Sequence, residues 1–81
     1  MRYRFTERFN RQYAHAPREI RRAFDRHLDF LLQNLQHPSL RAKKYEEAND
    51  IWQARVTRGW RFYFRIEADT YVILSLIAHP K

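Results

Sequence analysis

Four arginines and a tyrosine crowd one short stretch of this chain. Arg55, Arg61, Tyr63 and Arg65 alternate with aromatic and β-branched residues between Ile51 and Ile66. Guanidinium groups grip phosphate bidentately and stack on bases, and a tyrosine among them offers a stacking surface. Arg61 and Arg55 are therefore candidates for stabilising charge on a phosphate, and Tyr63 and Arg65 for holding RNA. His79, near the C-terminal end, carries an imidazole, a group suited to acid or base work. Lys43 and Lys44 precede the arginine stretch and suit phosphate positioning, as does Lys81. Glu46 and Glu47 lie between the lysines and the hairpin and are read as solvated loop charges. The chain has no cysteine, no Gly-rich phosphate loop, no nucleophile elbow, and no His, Asp and Glu pattern that forms a metal site.

Composition points the same way. Lys and Arg total 16 against 9 Asp and Glu, for a net charge of +7. Arginine outnumbers lysine 13 to 3, an excess suited to a polyanion or an acidic protein partner. The 81 residues make a single domain, 1–81, whose size permits only moderate burial. The opening residues Met1-Arg2-Tyr3-Arg4-Phe5 lack the apolar core of a signal peptide. No apolar run reaches membrane-spanning length, so a cytoplasmic chain with no membrane partner is expected.

The elements that must carry these side chains are legible in the pattern. Tyr3–Phe5 reads as a short strand. Thr6 can cap a helix with Glu7 in its first turn, and His15-Ala16-Pro17 ends that helix, with Pro17 in the first turn of the next. Ile20, Phe24, Leu28, Leu31 and Leu35 recur at helical spacing, with Leu32 widening the stripe. Asn34 to His37 ends this second helix before Pro38. The polar connection from Ser39 to Asp50 could hold one helical turn or a short extended piece. Ile51–Val56, Trp60–Ile66 and Thr70–Ala78 then read as strands. The expected architecture is α+β, in the order β-α-α-β-β-β, with two N-terminal helices packed on one face of a mainly antiparallel four-stranded sheet.

Register decides which residues face solvent. A two-residue loop, Arg58-Gly59, would pair Thr57 with Trp60 and mix arginines with aromatics on both faces. A three-residue loop, Thr57-Arg58-Gly59, with the only glycine in the chain in a left-handed conformation, would pair Val56 with Trp60, Ala54 with Phe62 and Trp52 with Phe64. That second register is expected. It gathers Trp52, Ala54, Val56, Trp60, Phe62 and Phe64 on a core face and leaves Gln53, Arg55, Thr57, Arg61, Tyr63 and Arg65 outside. The last strand is apolar on both sides, with Val72, Leu74 and Leu76 on one and Tyr71, Ile73 and Ile77 on the other. It is expected inside the sheet, with Tyr3–Phe5 on its free side.

The order of elements resembles the RelE/ParE superfamily of type II toxin–antitoxin toxins. So do His37-Pro38-Ser39-Leu40-Arg41, Lys43-Lys44, Ile51-Trp52-x-Ala54-Arg55-Val56, Trp60-Arg61-Phe62-Tyr63-Phe64 and Ala78-His79-Pro80-Lys81. The resemblance favours the RelE/YoeB-like branch. It implies a ribosome-dependent endoribonuclease that cuts mRNA without metal or other cofactor, by attack of a ribose 2′-hydroxyl on the adjacent phosphate. It implies Arg61 at the scissile phosphate, Arg55 at a basic position on the preceding strand, and His79 near the histidine of YoeB-like toxins. Pro80-Lys81 departs from the tyrosine that follows that histidine, and no glutamate sits in register as the general base. The implied partners are a cognate antitoxin, the ribosome and mRNA, with operator DNA bound only through the toxin–antitoxin complex. Two alternatives are a ParE-like toxin that inhibits DNA gyrase without being a nuclease, and a catalytically decayed relative of the fold.

Overall fold

The computed structural model describes residues 1–79. Strand β1 (Arg2–Phe5) leads into helices α1 (Glu7–His15) and α2 (Arg18–Gln33) and a 3₁₀ turn (Pro38–Leu40). Strands β2 (Lys43–Glu46), β3 (Ile51–Thr57), β4 (Trp60–Glu67) and β5 (Thr70–Ala78) follow. They form one sheet in the order β1-β5-β4-β3-β2. β1 runs parallel to β5, and the other pairs are antiparallel.

The α+β architecture with two helices on one face is as the sequence indicates, but the sheet has five strands, not four. The extra strand, β2, comes from the polar connection. Its residues Lys43-Lys44-Tyr45-Glu46 carry no alternating apolar signal. It forms by completing the open edge of β3, with Lys43 opposite Gln53 and Lys44 opposite Trp52. Only a third of that connection is extended, and Pro38–Leu40 takes the helical turn and buries Leu40.

Local chemistry explains the helices. Thr6 accepts a hydrogen bond from the Phe9 N–H at 3.1 Å, which caps α1. The same hydroxyl donates to the Leu74 carbonyl at 2.8 Å. Pro17 precedes α2, and its carbonyl accepts from Ile20 and Arg21. The α2 stripe buries Ile20, Ala23, Phe24, Leu28 and Leu31. Leu35 lies beyond the helix end and packs against the core from the connection. α1 lies over β5 and α2 over β3. Phe24 meets Phe62 edge-on, with centroids 5.1 Å apart.

Two of the three register shifts among the described residues, those flanking β4, sort side chains between the faces. Trp52 opposes Phe64 and Ala54 opposes Phe62, as expected. The turn differs, because Thr57 opposes Trp60 and the register shifts between Arg55 and Thr57. The surplus residue is absorbed at Val56, inside the strand, instead of in a three-residue loop. Gly59 accordingly has no positive φ, which corrects the expected left-handed glycine. A second register shift sets Tyr63 opposite Ser75 and Phe64 opposite Ile73, leaving Leu74 as the extra residue. Tyr71 and Ile73 therefore join Leu76 in the core, and Ile77 is exposed. Strict alternation along β5, as the sequence suggested, fails at this bulge.

β1 ends opposite Ile73, and beyond that point side chains replace its backbone. The Leu76 N–H donates to Gln12 Oε1 at 2.8 Å, and the Leu74 carbonyl is met by Thr6. α1 thus extends the strand edge along β5 and fixes the far end of the sheet that carries Ile77, the register partner of Arg61.

Candidate functional site

The outer sheet face carries Gln53, Arg55, Thr57, Arg61, Tyr63 and Arg65. Gln53 is buried there and donates through Nε2 to the Tyr63 hydroxyl at 2.9 Å. Tyr45, displaced by a register shift in β2, meets Tyr63 edge-on with centroids 5.0 Å apart. Tyr63 is thus held in place before any ligand arrives.

Arg55 and Arg61 are direct register partners across β3 and β4. Arg61 folds back over its own hairpin turn. One terminal nitrogen donates to the carbonyls of Thr57 at 2.8 Å, Trp60 at 3.0 Å and Arg58 at 3.3 Å. That capping fixes the guanidinium at the end of the hairpin. Partial desolvation, and then the charges of Arg41, Arg61 and Arg58, push the Arg55 guanidinium below its ordinary range.

These side chains line two adjoining clefts. One, of 230 Å³, is bounded by Arg41, Lys43, Gln53, Arg55 and Arg61. The other, of 400 Å³, is bounded by His27, Pro38, Ser39, Arg41 and Arg55. They share Arg41 and Arg55 and make a basic groove from α2 to the hairpin. β2 reaches only as far as Lys43 opposite Gln53, so it leaves uncovered the part of β3 that carries Arg55. No carboxylate lines either cleft among the described residues.

Lys43, Arg55 and Arg61 are therefore brought together. Lys44 points elsewhere: it pairs with Asp50 and Glu47 and lies over the Trp52 ring, 5.0 Å from its centroid. Its ammonium is held above its usual range by the Asp50 hydrogen bond first. Arg65 stands four residues from Arg61 along β4, about 13 Å away, and pairs with Glu67 at 3.2 Å. His79 lines neither cleft. It is exposed, and its backbone N–H donates to the Gly59 carbonyl at 2.7 Å, at the same end of the sheet as the Arg61-capped turn. Glu46 accepts from Asn49 at 2.6 Å. Lys81 lies outside the described residues.

Two groove residues escaped the sequence reading. Arg41 sits between the 3₁₀ turn and β2 with φ 46°, where tertiary context alone brings it against Arg55. His27 lies on α2 among residues that read as a core stripe and its flanks. Its Nδ1 lies 2.7 Å from the Ala23 carbonyl, which fixes the ring against its own helix with Nδ1 as donor. Burial chiefly lowers its pKa, and the Arg26 and His37 charges add to that, against the raising effect of the Ala23 and Ser39 carbonyls.

Comparison with solved structures places this fold. A YoeB/ParE toxin from Agrobacterium tumefaciens matches with a TM-score of 0.82 at 12% identity, covering 99% of this chain and 100% of that one. The RelE of a RelE–RelB complex from Pyrococcus horikoshii matches at 0.81 and 18% identity, covering 99% and 96%. A chain of the YoeB–YefM toxin–antitoxin complex from Staphylococcus aureus matches at 0.80 and 12% identity, covering 99% and 98%. No curated protein sequence matches. At these identities the structures establish the fold. The sequence itself matches, over residues 3–80, the family model described as the ParE toxin of the type II toxin–antitoxin system parDE, and the chain therefore belongs to that toxin family.

Proposed function

We propose that this toxin is a ribosome-dependent endoribonuclease that cleaves mRNA through the groove between β3, β4 and the 3₁₀ turn. The convergence of Lys43, Arg55 and Arg61 with Arg41 on one carboxylate-free groove carries this reading. In the reaction, a ribose 2′-hydroxyl gives its proton to water and its oxygen attacks the adjacent phosphate. Negative charge builds on the non-bridging oxygens, the bond to the 5′-oxygen breaks and that oxygen takes up a proton, leaving a 2′,3′-cyclic phosphate and a 5′-hydroxyl. Arg55 and Arg61 stabilise that charge, and Arg61, already held by its bonds to the turn carbonyls, does so without reorganisation. Lys43 positions a flanking phosphate, and Tyr63 offers a ring for a base. His79, at the turn end of β5, supplies the proton-transfer group. The test is translation-dependent cleavage in a cell-free system. Cleavage by the parent and its loss in Arg61→Ala support the assignment, and equal cleavage by both removes it.

A cognate antitoxin completes the system. Its acidic or amphipathic segment covers the basic outer face, and the toxin–antitoxin complex, not the toxin alone, binds operator DNA. The RelE–RelB and YoeB–YefM complexes support such a partner. An operator shift by the isolated toxin equal to that of the complex would contradict this.

A second reading is favoured by two observations. The matching family model is that of ParE toxins, and His79 stands outside the clefts that hold the arginines. On that reading the protein inhibits DNA gyrase and the arginines serve binding alone. Inhibition of supercoiling by the purified chain, without RNA cleavage, would select it.

A further inference from the structure

The groove does not stop at the hairpin. We infer that the cleft between α2, the 3₁₀ turn and β3 is a second phosphate subsite, with the Arg41 and Arg55 guanidinium groups as its cations and the His27 ring as its wall. It takes the phosphate of a nucleotide neighbouring the one held at Arg61. The inference rests on the RNA reading for its biological ligand but not for its chemistry.

Four observations carry it. First, the 400 Å³ cleft is lined by His27, Pro38, Ser39, Arg41 and Arg55, and no acidic side chain lines it. Second, neither Arg41 nor Arg55 forms an ion pair among the described residues, although Arg55 is partly desolvated and meets three like charges. An anion placed between Arg41 and Arg55 relieves that repulsion, and a tetrahedral oxyanion accepts from both forks at once. Third, Arg41 holds φ 46°, a left-handed conformation that is unfavourable for a non-glycine residue. The chain reverses there so that Arg41 borders both clefts. Fourth, the two clefts share Arg41 and Arg55. Anions repeating at short intervals, as along a polynucleotide backbone, fit two sites with common cations better than an isolated carboxylate does.

His27 has a defined part in this arrangement. Its Nδ1 is committed to the Ala23 carbonyl, and it is half-buried beside the 3₁₀ turn. The ring closes the back of the cleft and reports on its occupancy, since an anion arriving beside it changes its magnetic environment. It is a wall and not a catalytic residue.

The experiment titrates inorganic phosphate into the full-length protein and follows the His27 imidazole resonances by NMR. The expected result is a saturable shift in the parent. Arg41→Asn, which keeps a residue tolerant of left-handed backbone, weakens phosphate affinity at least tenfold at this site, and Arg61→Gln leaves the His27 response in place. No saturable shift, or an unchanged response in Arg41→Asn, overturns the subsite. A poly-glutamate peptide that moves His27 as strongly as a single-stranded oligoribonucleotide of equal charge would also overturn the phosphate assignment, and would give the cleft to an acidic protein partner.

Oligoribonucleotide binding against salt separates this inference from the function above. The slope of log affinity on log salt should fall in magnitude by about 0.7 in Arg41→Asn, one phosphate contact on a single strand, and by a similar amount in Arg61→Gln. A fall in Arg61→Gln alone removes the subsite and leaves the RNA reading standing. A saturable phosphate response at His27 without RNA binding removes the RNA reading and leaves the subsite.

Discussion

Arg55 and Arg61 face each other as register partners across β3 and β4, and neither is neutralised by a carboxylate among the described residues. Directly opposed like charges destabilise a sheet. Stability and anion binding therefore pull in opposite directions at this pair. Arg55→Gln should raise the thermal midpoint at low salt while weakening RNA binding. Added salt should raise the parent's midpoint more than the variant's, because screening removes a repulsion that the variant lacks. Thermal denaturation at two ionic strengths checks this, and a lower midpoint for Arg55→Gln at low salt would count against it.

Gly59 is dispensable as a glycine. Its φ is not positive, and a Cβ there would meet nothing within 4 Å. Gly59→Ala should be neutral or stabilise the fold by about 0.4–1 kcal/mol, through the lower entropy of the unfolded chain. Chemical denaturation of the variant measures this. Destabilisation by more than about 1 kcal/mol, the cost expected of a left-handed position, would mean that the turn needs its glycine after all.

The pairing of Ala54 with Phe62 and Trp52 with Phe64 was legible because only one register separates arginines from aromatics. The device that achieves it was not legible. A surplus residue can be absorbed in a loop or in a strand, and the choice of Val56 over the turn depends on contacts remote in sequence. The Leu74 bulge is the same case, since Thr6 and Gln12 hold the strand around it from α1. β2 was legible only as one of two possibilities for the connection, because an edge strand of Lys43, Lys44, Tyr45 and Glu46 buries no alternating apolar face. Arg55 and Arg61 were found from alternation along their own strands. Arg41 was not found, because nothing local marks the residue that the 3₁₀ turn swings into the groove.

Thr6 ties a helix to a bulge, so its loss should exceed that of an ordinary cap. Thr6→Ala removes the bond from Phe9 N–H and the bond to the Leu74 carbonyl. The expected loss is about 1–2 kcal/mol for the cap plus about 1 kcal/mol for the second hydrogen bond. Thr6→Ser should retain most of the stability. Equal losses in the two variants, measured by denaturant unfolding, would show that the hydroxyl is not the cause.

His27 gives the fold an acid sensitivity with a definite sign. Burial first, then the Arg26 and His37 charges, lower its folded pKa below the ordinary imidazole value of 6.5. Between the lowered value and 6.5 the unfolded chain binds more protons than the folded one, so stability rises with pH across that window. Acidification from pH 7 should therefore destabilise the parent more than His27→Gln, with the Arg41 and Arg55 guanidinium groups lining the same cleft. Thermal midpoints of the two proteins between pH 7 and pH 5 check this. Parallel curves would contradict the lowered pKa.

The central claim is that the groove of Lys43, Arg55 and Arg61 cleaves RNA. Its most direct test is a translating cell-free system in which mRNA cleavage is read by primer extension for the parent, Arg55→Gln and Lys44→Gln. Arg55 makes no turn-capping bond of the kind that complicates Arg61, and Lys44 lies on the Trp52 side. Expected are cleavage by the parent, a loss of roughly 10²-fold in Arg55→Gln, the scale set by removal of one charge-stabilising donor, and parent-like cleavage in Lys44→Gln. Equal cleavage by the parent and Arg55→Gln, or no cleavage by a parent that blocks gyrase supercoiling, would contradict it.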